Sequence, residues 1–369
     1  MNLIDPELIN RSVELAIEIQ QIAAPTFYEE NRGAYILKRF RVGGLADVEM
    51  DEIGNVFGCR PGSGNALPII VSAHLDTVFP SGSDLTLNRF PEKLVGPGIG
   101  DNAIGLAGLF GLLWELDRQN IHLNSDVWFV ANVGEEGLGD LRGMRNVVKR
   151  FAGRVQGYII IEGMALGQVY HRGLGVTRFR ITVNTPGGHS WVDYGKPSAV
   201  HELSHLVNRL LSLQIPEEPR SSLNVGVLSG GISVNTIAAE ASLELDIRSE
   251  DVVKLDEIVR MVEQAVRDFT RPDVQVSMEL IGKRPVGELS IDHPLVALAV
   301  QGLQFVGIKP HLNIGSTDAN IPLSLGFPAV CLGLTTGNGA HTQNEYINLA
   351  PLGHGIEQLL HVIRGLDRL

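Results

Sequence analysis

Ionisable side chains stand directly after apolar, strand-like segments at several places in the sequence. These are PIIVSA followed by His74 and Asp76, DVWFVANVG followed by Glu135 and Glu136, and GYIII followed by Glu162. Two residues that are two apart in a strand leave it on the same face. Charged groups at such positions are costly to bury without partners, and the carboxyl ends of strands are where α/β sheets bind ligands. The pattern therefore predicts a functional site at one edge of a sheet.

Two further candidates lie in loops of the same kind. Asp101 stands in the glycine-rich GPGIGDN before a predicted helix, and His341 stands in GNGAHTQNEY after an apolar segment. Taken singly, Asp101 could be a helix N-cap and His341 a structural residue. Taken with the residues above, they complete a set of nitrogen and oxygen donors that a parallel sheet would gather at one edge. Such a set, with one carboxylate shared, suits two divalent cations in a catalytic site.

The overall composition excludes several other classes of protein. The 369 residues carry a net charge of −12 and no basic run, which argues against binding to nucleic acid or to an anionic membrane. Two cysteines, Cys59 and Cys331, are too few to staple a chain of this length. The first segment resembles a helix rather than a signal peptide, and no long apolar run follows. We expect a soluble, cytoplasmic protein.

The order of predicted elements indicates two domains. Buried strands alternate with helices in residues 1–173 and again in 286–369, which predicts an α/β catalytic domain with a mostly parallel sheet. Residues 174–285 follow the order β-α-β-β-α-β, which predicts an inserted ferredoxin-like α+β domain. Helices are predicted from Pro6 to about Ile22 and from Glu29 to about Val42, and one strand-like stretch at 48–60.

Six motifs resemble those of the co-catalytic zinc metallopeptidases, in the branch that holds peptidase T, carboxypeptidase G, aminoacylase and succinyl-diaminopimelate desuccinylase. They are SAHLDTV, GPGIGDN, NVGEEGLGD, IEG, GSTDAN and GAHTQNEYI. The resemblance covers nearly the whole chain. It implies metal-dependent hydrolysis of an amide bond, with a metal-bound water as nucleophile. It also implies that the inserted domain is a lid through which two copies dimerise.

The resemblance assigns a role to each candidate. Glu135 is implied to be the general base, and Asp76 to hold the imidazole of a ligand histidine, as such ligands usually require. His189, in TPGGHSW of the inserted domain, is implied to stabilise the oxyanion in the partner's active site. The implied metal ligands are His74, Asp101 as the bridge, Glu136, Glu162 and His341, and the implied substrate-binding pair is Asn235 and Arg248. Two zinc ions are the expected cofactor, with cobalt and manganese as alternatives.

Several functional alternatives remain open on the sequence. Gly98-x-Gly100-x-x-Ala103 is a weak match to a dinucleotide-binding loop, because no buried strand precedes it. A catalytically silent binding homologue is a second alternative, although every catalytic position is intact. Within the enzymes, a di- or tripeptide exopeptidase is favoured over an N-acyl-amino-acid amidohydrolase. We expect a short peptide or an N-acyl amino acid as substrate and no nucleic acid or membrane partner.

Overall fold

The computed structural model describes residues 4–64 and 66–369, which fold as two compact units. The first unit contains the chain up to Gly173 and Gly287–Leu369, and the second contains Leu174–Val286. The first unit is a mixed α/β structure with a mainly parallel central sheet, which confirms the fold class expected for it. Among the described residues, no helix is both long and apolar enough to cross a membrane.

A nine-stranded sheet forms the centre of the first unit. Its four middle strands run parallel, and the edge strands add antiparallel pairs. Every residue of Ile69–His74 is buried, which explains why this strand is a continuous apolar run rather than an alternating one. In spatial order the strands are Ala46–Met50, Val56–Arg60, Val127–Asn132, Ile69–His74, Gly157–Glu162, Ala329–Gly333, Gln168–Gly173 and Gly287–Glu288, with His311–Gly315 also paired to Gln168–Gly173.

Helices surround this sheet, and apolar side chains from both form one continuous core. Asp5 caps the first helix by accepting a hydrogen bond from the backbone of Glu7, and proline takes its first position, as is usual at helix starts. The helices are Pro6–Gln20, Glu30–Val42, Ile104–Arg118, Arg142–Phe151, Pro294–Phe305, Asn320–Ser324 and Leu352–Leu366. Short helical turns lie at Ile99–Ala103 and Gly137–Gly139, and a small sheet contains Asn88–Arg89, Lys93–Val95, Gly337–Asn338 and Tyr346–Asn348.

The strand-like stretch at 48–60 differs from its prediction, because it contains a hairpin rather than a single strand. Ala46–Met50 and Val56–Arg60 pair antiparallel. The Asp51 carboxylate accepts hydrogen bonds from the backbone N–H groups of Ile53 and Asn55 at 3.1 and 2.8 Å. This local bond between side chain and backbone reverses the chain, as aspartate commonly does in turns.

The second unit is a four-stranded antiparallel sheet with two helices packed on it. Its strands lie in the order Ser221–Gly230, Glu240–Ser249, Gly175–Asn184 and Gln275–Arg284, and its helices are Ala199–Leu211 and Val252–Arg267. Burial alternates along Glu240–Ser249, so one face of the strand packs on the core and the other carries polar side chains. A two-stranded ribbon of Gly188–His189 and Thr236–Ile237 completes the unit.

Candidate metal centre

Two clusters of donor atoms share the carboxylate of Asp101. In the first, the donor atoms of His74, Asp101 and Glu162 lie within 4.8 Å of one another, and the second combines Asp101 with Glu136 and His341 in the same way. Nε2 of His74 lies 3.0 Å from Oδ1 of Asp101, and Nε2 of His341 lies 3.2 Å from its Oδ2. One carboxylate thus presents an oxygen to each cluster. The structure brings together all five predicted metal ligands.

The strand ends explain why these side chains meet. His74 and Glu162 are the last residues of parallel strands on the same side of the sheet, and Glu136 follows a third, Val127–Asn132. Parallel strands end at one edge, so their terminal residues converge there. Asp101 reaches this edge from the turn before the helix Ile104–Arg118.

The orientation of the His74 ring suits a metal ligand. Its Nδ1 lies 3.0 Å from the backbone carbonyl oxygen of Asp76, which can only accept, so Nδ1 carries the proton. Nε2 is therefore the ring nitrogen that faces the carboxylates of Asp101 and Glu162, and this buried atom makes no hydrogen bond of good geometry with them. The buried Oε1 of Glu136 likewise has none. A divalent cation bound among these side chains would satisfy both atoms, because ring nitrogens and carboxylate oxygens are common metal ligands.

Asp76 holds the site by another route than the sequence suggested. Its carbonyl oxygen, rather than its carboxylate, makes the shorter contact with His74. The carboxylate accepts hydrogen bonds from the backbone N–H groups of Glu135 and Glu136, both at 2.9 Å, and from the hydroxyl of Thr26 at 2.9 Å. Asp76 thus fixes the backbone that carries both glutamates.

The pKa values show how crowded the negative charge is. Burial, with the neighbouring Asp101 carboxylate, raises the pKa of Glu136 to about 8. Burial raises the pKa of Glu162 to about 7, although the neighbouring His74 ring opposes the shift. The hydrogen bond to Asp101 and the nearby carboxylate of Glu136 raise the pKa of His341 to about 10. Without cations Glu136 and Glu162 would keep part of their protons at neutral pH, whereas divalent ions among them would favour the ionised form of both, so the donor set fits divalent metal ions.

Three residues that the sequence interpretation did not name individually bond to the strands and loops that carry the cluster. Glu345 accepts hydrogen bonds from the backbone N–H groups of Gly98, Gly100 and Asp101 at 3.1, 2.6 and 2.8 Å. Asn102 donates to the carbonyl of Ile161 and accepts from the N–H of Gly163, so it fixes both sides of Glu162. The third, Asp318, accepts a hydrogen bond from the side chain of Asn132 at 2.6 Å.

The sequence gives only weak indications that these residues belong to the site. Asp318 lies in GSTDAN and Glu345 follows His341 by four residues, so both were within recognised motifs without an assigned role. The structure shows why a glycine follows Asn102 by three residues, because a Cβ at Gly105 would lie only 1.9 Å from the Asn102 side-chain oxygen. The bonds themselves join distant segments and could not be derived from spacing.

The second unit carries the remaining predicted residues, and it brings two of them together. His189 lies in the short ribbon, and the backbone N–H of the next residue, Ser190, donates to the carbonyl of Asn235. Nδ1 of His189 accepts hydrogen bonds from the N–H groups of Trp191 and Val192 at 3.2 and 3.4 Å, so its neutral ring has its proton on Nε2.

Arg248 belongs to a different part of this unit. It lies near the end of the strand Glu240–Ser249, and its Nε donates to Asp246 at 2.6 Å. At about 3.3 Å per residue, about 26 Å of strand separates Arg248 from Glu240, the first residue of the strand. The ribbon strand Thr236–Ile237 comes just before Glu240 in the chain. The predicted pair of Asn235 and Arg248 is therefore not a contacting pair within the unit.

Comparison with known proteins agrees with the geometry of the first unit. The model of the peptidase family M20/M25/M40 matches residues 70–365. The chain belongs to this family. The match confirms the resemblance drawn from the motifs and places the chain among hydrolases.

Among curated relatives, a Peptidase M20 domain-containing protein of Schizosaccharomyces pombe is 26% identical over 301 residues, covering 80% of this chain and 68% of the relative. An acetylornithine deacetylase of Pectobacterium carotovorum is 25% identical, covering 79% of each chain. A tripeptidase from Staphylococcus aureus has a similar fold, with a TM-score of 0.81, 22% identity and full coverage of both chains. Aminopeptidase PepT from Bacillus cereus gives a TM-score of 0.76 at 20% identity, covering 97% of this chain and 98% of that one.

Proposed function

We propose that this protein is a two-metal exopeptidase that hydrolyses di- or tripeptides. The observation that carries the proposal is the pair of donor clusters that share Asp101, with Glu135 beside them. His74, Glu162, Glu136 and His341 would hold the ions together with that carboxylate. Zinc is the metal that we propose, with cobalt and manganese as alternatives, since nitrogen and oxygen ligands discriminate weakly among them. When bound, the ions would supply a Lewis acid that activates water and polarises the scissile carbonyl.

Glu135 would act as the general base. Its side chain is buried beside His74 and Glu136, and Asp76 holds its backbone. Of two adjacent glutamates, one can bind metal while the other accepts a proton from the attacking water and later donates it to the leaving amine. The family resemblance, rather than the chemistry, assigns the base to Glu135 and the ligand to Glu136.

The second unit would contribute substrate contacts. A proton on Nε2 makes His189 a hydrogen-bond donor, as a group that stabilises an oxyanion must be. Asn235 lies beside it and would bind the substrate backbone, and Arg248 would bind a substrate carboxylate. We propose that this unit serves as the lid and joins two copies of the chain, and that the dimer is cytoplasmic.

An amidohydrolase acting on N-acyl amino acids is the second candidate. It is favoured by the acetylornithine deacetylases of Pectobacterium carotovorum and Klebsiella pneumoniae, which match this chain over 79% of its length. Both candidates would use the same metal centre and base, so they differ in the acyl group on the carbonyl side of the amide, which is an aminoacyl group in a peptide and an acetyl or succinyl group in an N-acyl amino acid.

A substrate panel distinguishes the two candidates. The zinc-loaded protein is assayed against di- and tripeptides and against N-acetyl and N-succinyl amino acids, beside Glu135→Ala and the control Glu52→Ala, which alters an exposed glutamate of the same unit. We expect amino-acid release from free peptides, lost in Glu135→Ala and kept in Glu52→Ala. Turnover of acylated substrates alone would establish the second candidate. No turnover of either class would contradict both.

A further inference from the structure

Three segments that carry exposed, large apolar side chains meet at the carboxylate of Asp76. The first contains Phe27 and Tyr28, with 49% and 65% of their surfaces exposed. The second continues from Asp76 itself to Val78, and the third continues from Glu136 to Leu138. The side chains of Val78 and Leu138 are 38% and 43% exposed. Large apolar groups that remain exposed beside a charged cluster are typical of ligand-binding grooves rather than of ordinary surface.

Hydrogen bonds fix these segments to one another. The hydroxyl of Thr26 donates to Asp76 at 2.9 Å, and Pro25 forms a parallel β-bridge with Thr77. Asp76 in turn accepts the two N–H groups that precede Leu138 in the chain, those of Glu135 and Glu136. The exposed side chains therefore stand on a fixed framework that also carries the general base and a metal ligand.

A second anchor holds the first segment from its other end. The buried carboxylate of Glu29 accepts the backbone N–H of Gly134 at 3.1 Å and two hydrogen bonds from Arg142, both at 2.8 Å. The guanidinium of Arg142 also lies 5.2 Å from the ring centroid of Phe27. Cation–π contact at this distance is attractive and restrains the ring.

The backbone at Phe27 is in the left-handed region, with φ of 77°. An aromatic residue is unfavourable there, where glycine is preferred. Such a conformation persists only where surrounding contacts enforce it, and outliers of this kind cluster at ligand-binding sites. The anchors on both sides of Phe27 supply that enforcement, with the result that an exposed ring is held on the segment that bonds to Asp76.

We propose that Phe27, Tyr28, Val78 and Leu138 form an apolar subsite for the side chain of the substrate residue next to the scissile amide. The enzyme would then select substrates with an aromatic or large aliphatic residue at that position. This inference rests on the proposed hydrolytic function. The spacing favours a substrate side chain as the occupant. Val78 follows Asp76 by two residues and Leu138 follows Glu136 by two residues, and two residues span about 7 Å of chain. A side chain extending from a bound amide covers a distance of that order.

Amino-acid hydroxamates test the subsite independently of turnover, since the hydroxamate group binds metal and the amino-acid side chain contacts the protein surface around the metal. Calorimetry on the zinc-loaded protein compares the hydroxamates of glycine, leucine and phenylalanine. We expect the two large ones to bind at least about tenfold more tightly than the glycine compound, in keeping with the discrimination of apolar pockets. In Phe27→Gly and Tyr28→Ala the preference should fall to about twofold, while glycine hydroxamate keeps its affinity.

Phe27→Gly retains the backbone conformation, because glycine adopts positive φ freely. The matched control is Phe305→Ala, which removes an aromatic ring of similar exposure, 46%, from a helix of the same unit. A preference unchanged in the subsite variants, a preference lost equally in Phe305→Ala, or no hydroxamate binding would overturn the subsite. If the preference behaves as expected but neither peptides nor acylated amino acids are hydrolysed, the subsite stands and the proposed function fails. Dimer dissociation in the Phe27→Gly or Tyr28→Ala variants, with the preference intact, would instead assign these side chains to contact between copies.

Discussion

The two sheets of this protein distribute their charged residues in opposite ways. In the first unit, ionisable side chains are absent from the middle of the buried strand Ile69–His74 and gather at its end. In the second unit, charges alternate along the strands and pair across them. Arg178 faces Asp246 in the strand register and bonds to it at 2.8 Å, and Arg180 faces Glu244 and bonds at 2.9 Å.

The difference follows from how each sheet is covered. A parallel sheet with elements on both faces excludes charge from its strands and collects it at the strand ends, where charges of one sign crowd together. An antiparallel sheet with one polar face can place opposite charges directly opposite each other. Crowded charge of one sign is poor for stability and useful for binding cations, whereas paired charge contributes a little stability and requires no ligand. This comparison predicts different consequences for changes in the two regions.

The largest effect is expected at the shared carboxylate. Asp101→Asn removes one negative charge from both clusters, so we expect peptide hydrolysis to fall by about a thousandfold or more, since both ions lose a ligand. Metal content, measured by atomic emission after dialysis, should fall below that of the wild type. Stability of the metal-free protein to urea at neutral pH should fall modestly, because contacts with the His341 and His74 rings lower the pKa of Asp101 in spite of its burial, so its ionised form stabilises the fold. A rise in that stability would contradict this pairing.

Metal removal should affect the first unit and leave the second unchanged. Zinc at about 100 times its dissociation constant stabilises a folded site by about 2.7 kcal/mol. We therefore expect a lower melting temperature after chelation and recovery with added zinc. Hydrogen exchange should quicken at Leu75–Thr77 and Gly134–Gly137 after chelation, while the paired strand Gly175–Asn184 serves as the internal control. Equal changes in that strand would argue against a metal site confined to the first unit.

A substitution of Arg248 tests whether the second unit binds substrate in addition to pairing its own charges. Its Nε is engaged with Asp246, and we propose that its terminal nitrogens bind a substrate carboxylate. Arg248→Gln should raise KM by about 10- to 100-fold with little change in kcat, as expected for loss of a hydrogen bond to a charged group. Steady-state kinetics with a peptide and with its C-terminal amide provide the check. An unchanged KM would leave Arg248 as part of the charge pairing on the sheet.

The smallest effect is expected within that pairing. Glu244→Gln breaks one ion pair of Arg180, whose side chain is 40% exposed and also contacts Glu279. Exposed pairs contribute little, so we expect only a slight loss of unfolding free energy and unchanged hydrolysis. Urea denaturation and the peptide assay measure the two quantities. A reduction in hydrolysis without a loss of stability would show that the polar face of this sheet has a role in substrate binding.

The first unit shows how far local sequence determined the site. Short apolar runs ending in histidine or carboxylate predicted both the buried strands and the residues at their ends, because solvation excludes charge from a strand that is covered on both faces. The six motifs then indicated the family to which the chain belongs. Aspartate turns were harder to foresee, since the hairpin at Asp51 depends on one side chain bonding to its own backbone.

Only the tertiary structure decided how the candidates combine. Asp101 and His341 are 240 positions apart, and their contact depends on a turn and a loop converging at the same sheet edge. Glu345 lies 244 to 247 positions from the backbone groups that it fixes. Arg248 and Asn235 were predicted to bind substrate together, and the fold places them in different parts of the second unit. Sequence by itself determined the residue types, because burial and chemistry act on each residue locally. Pairing between distant residues was decided by the fold, since hydrogen bonds and shared charges require positions that only packing supplies.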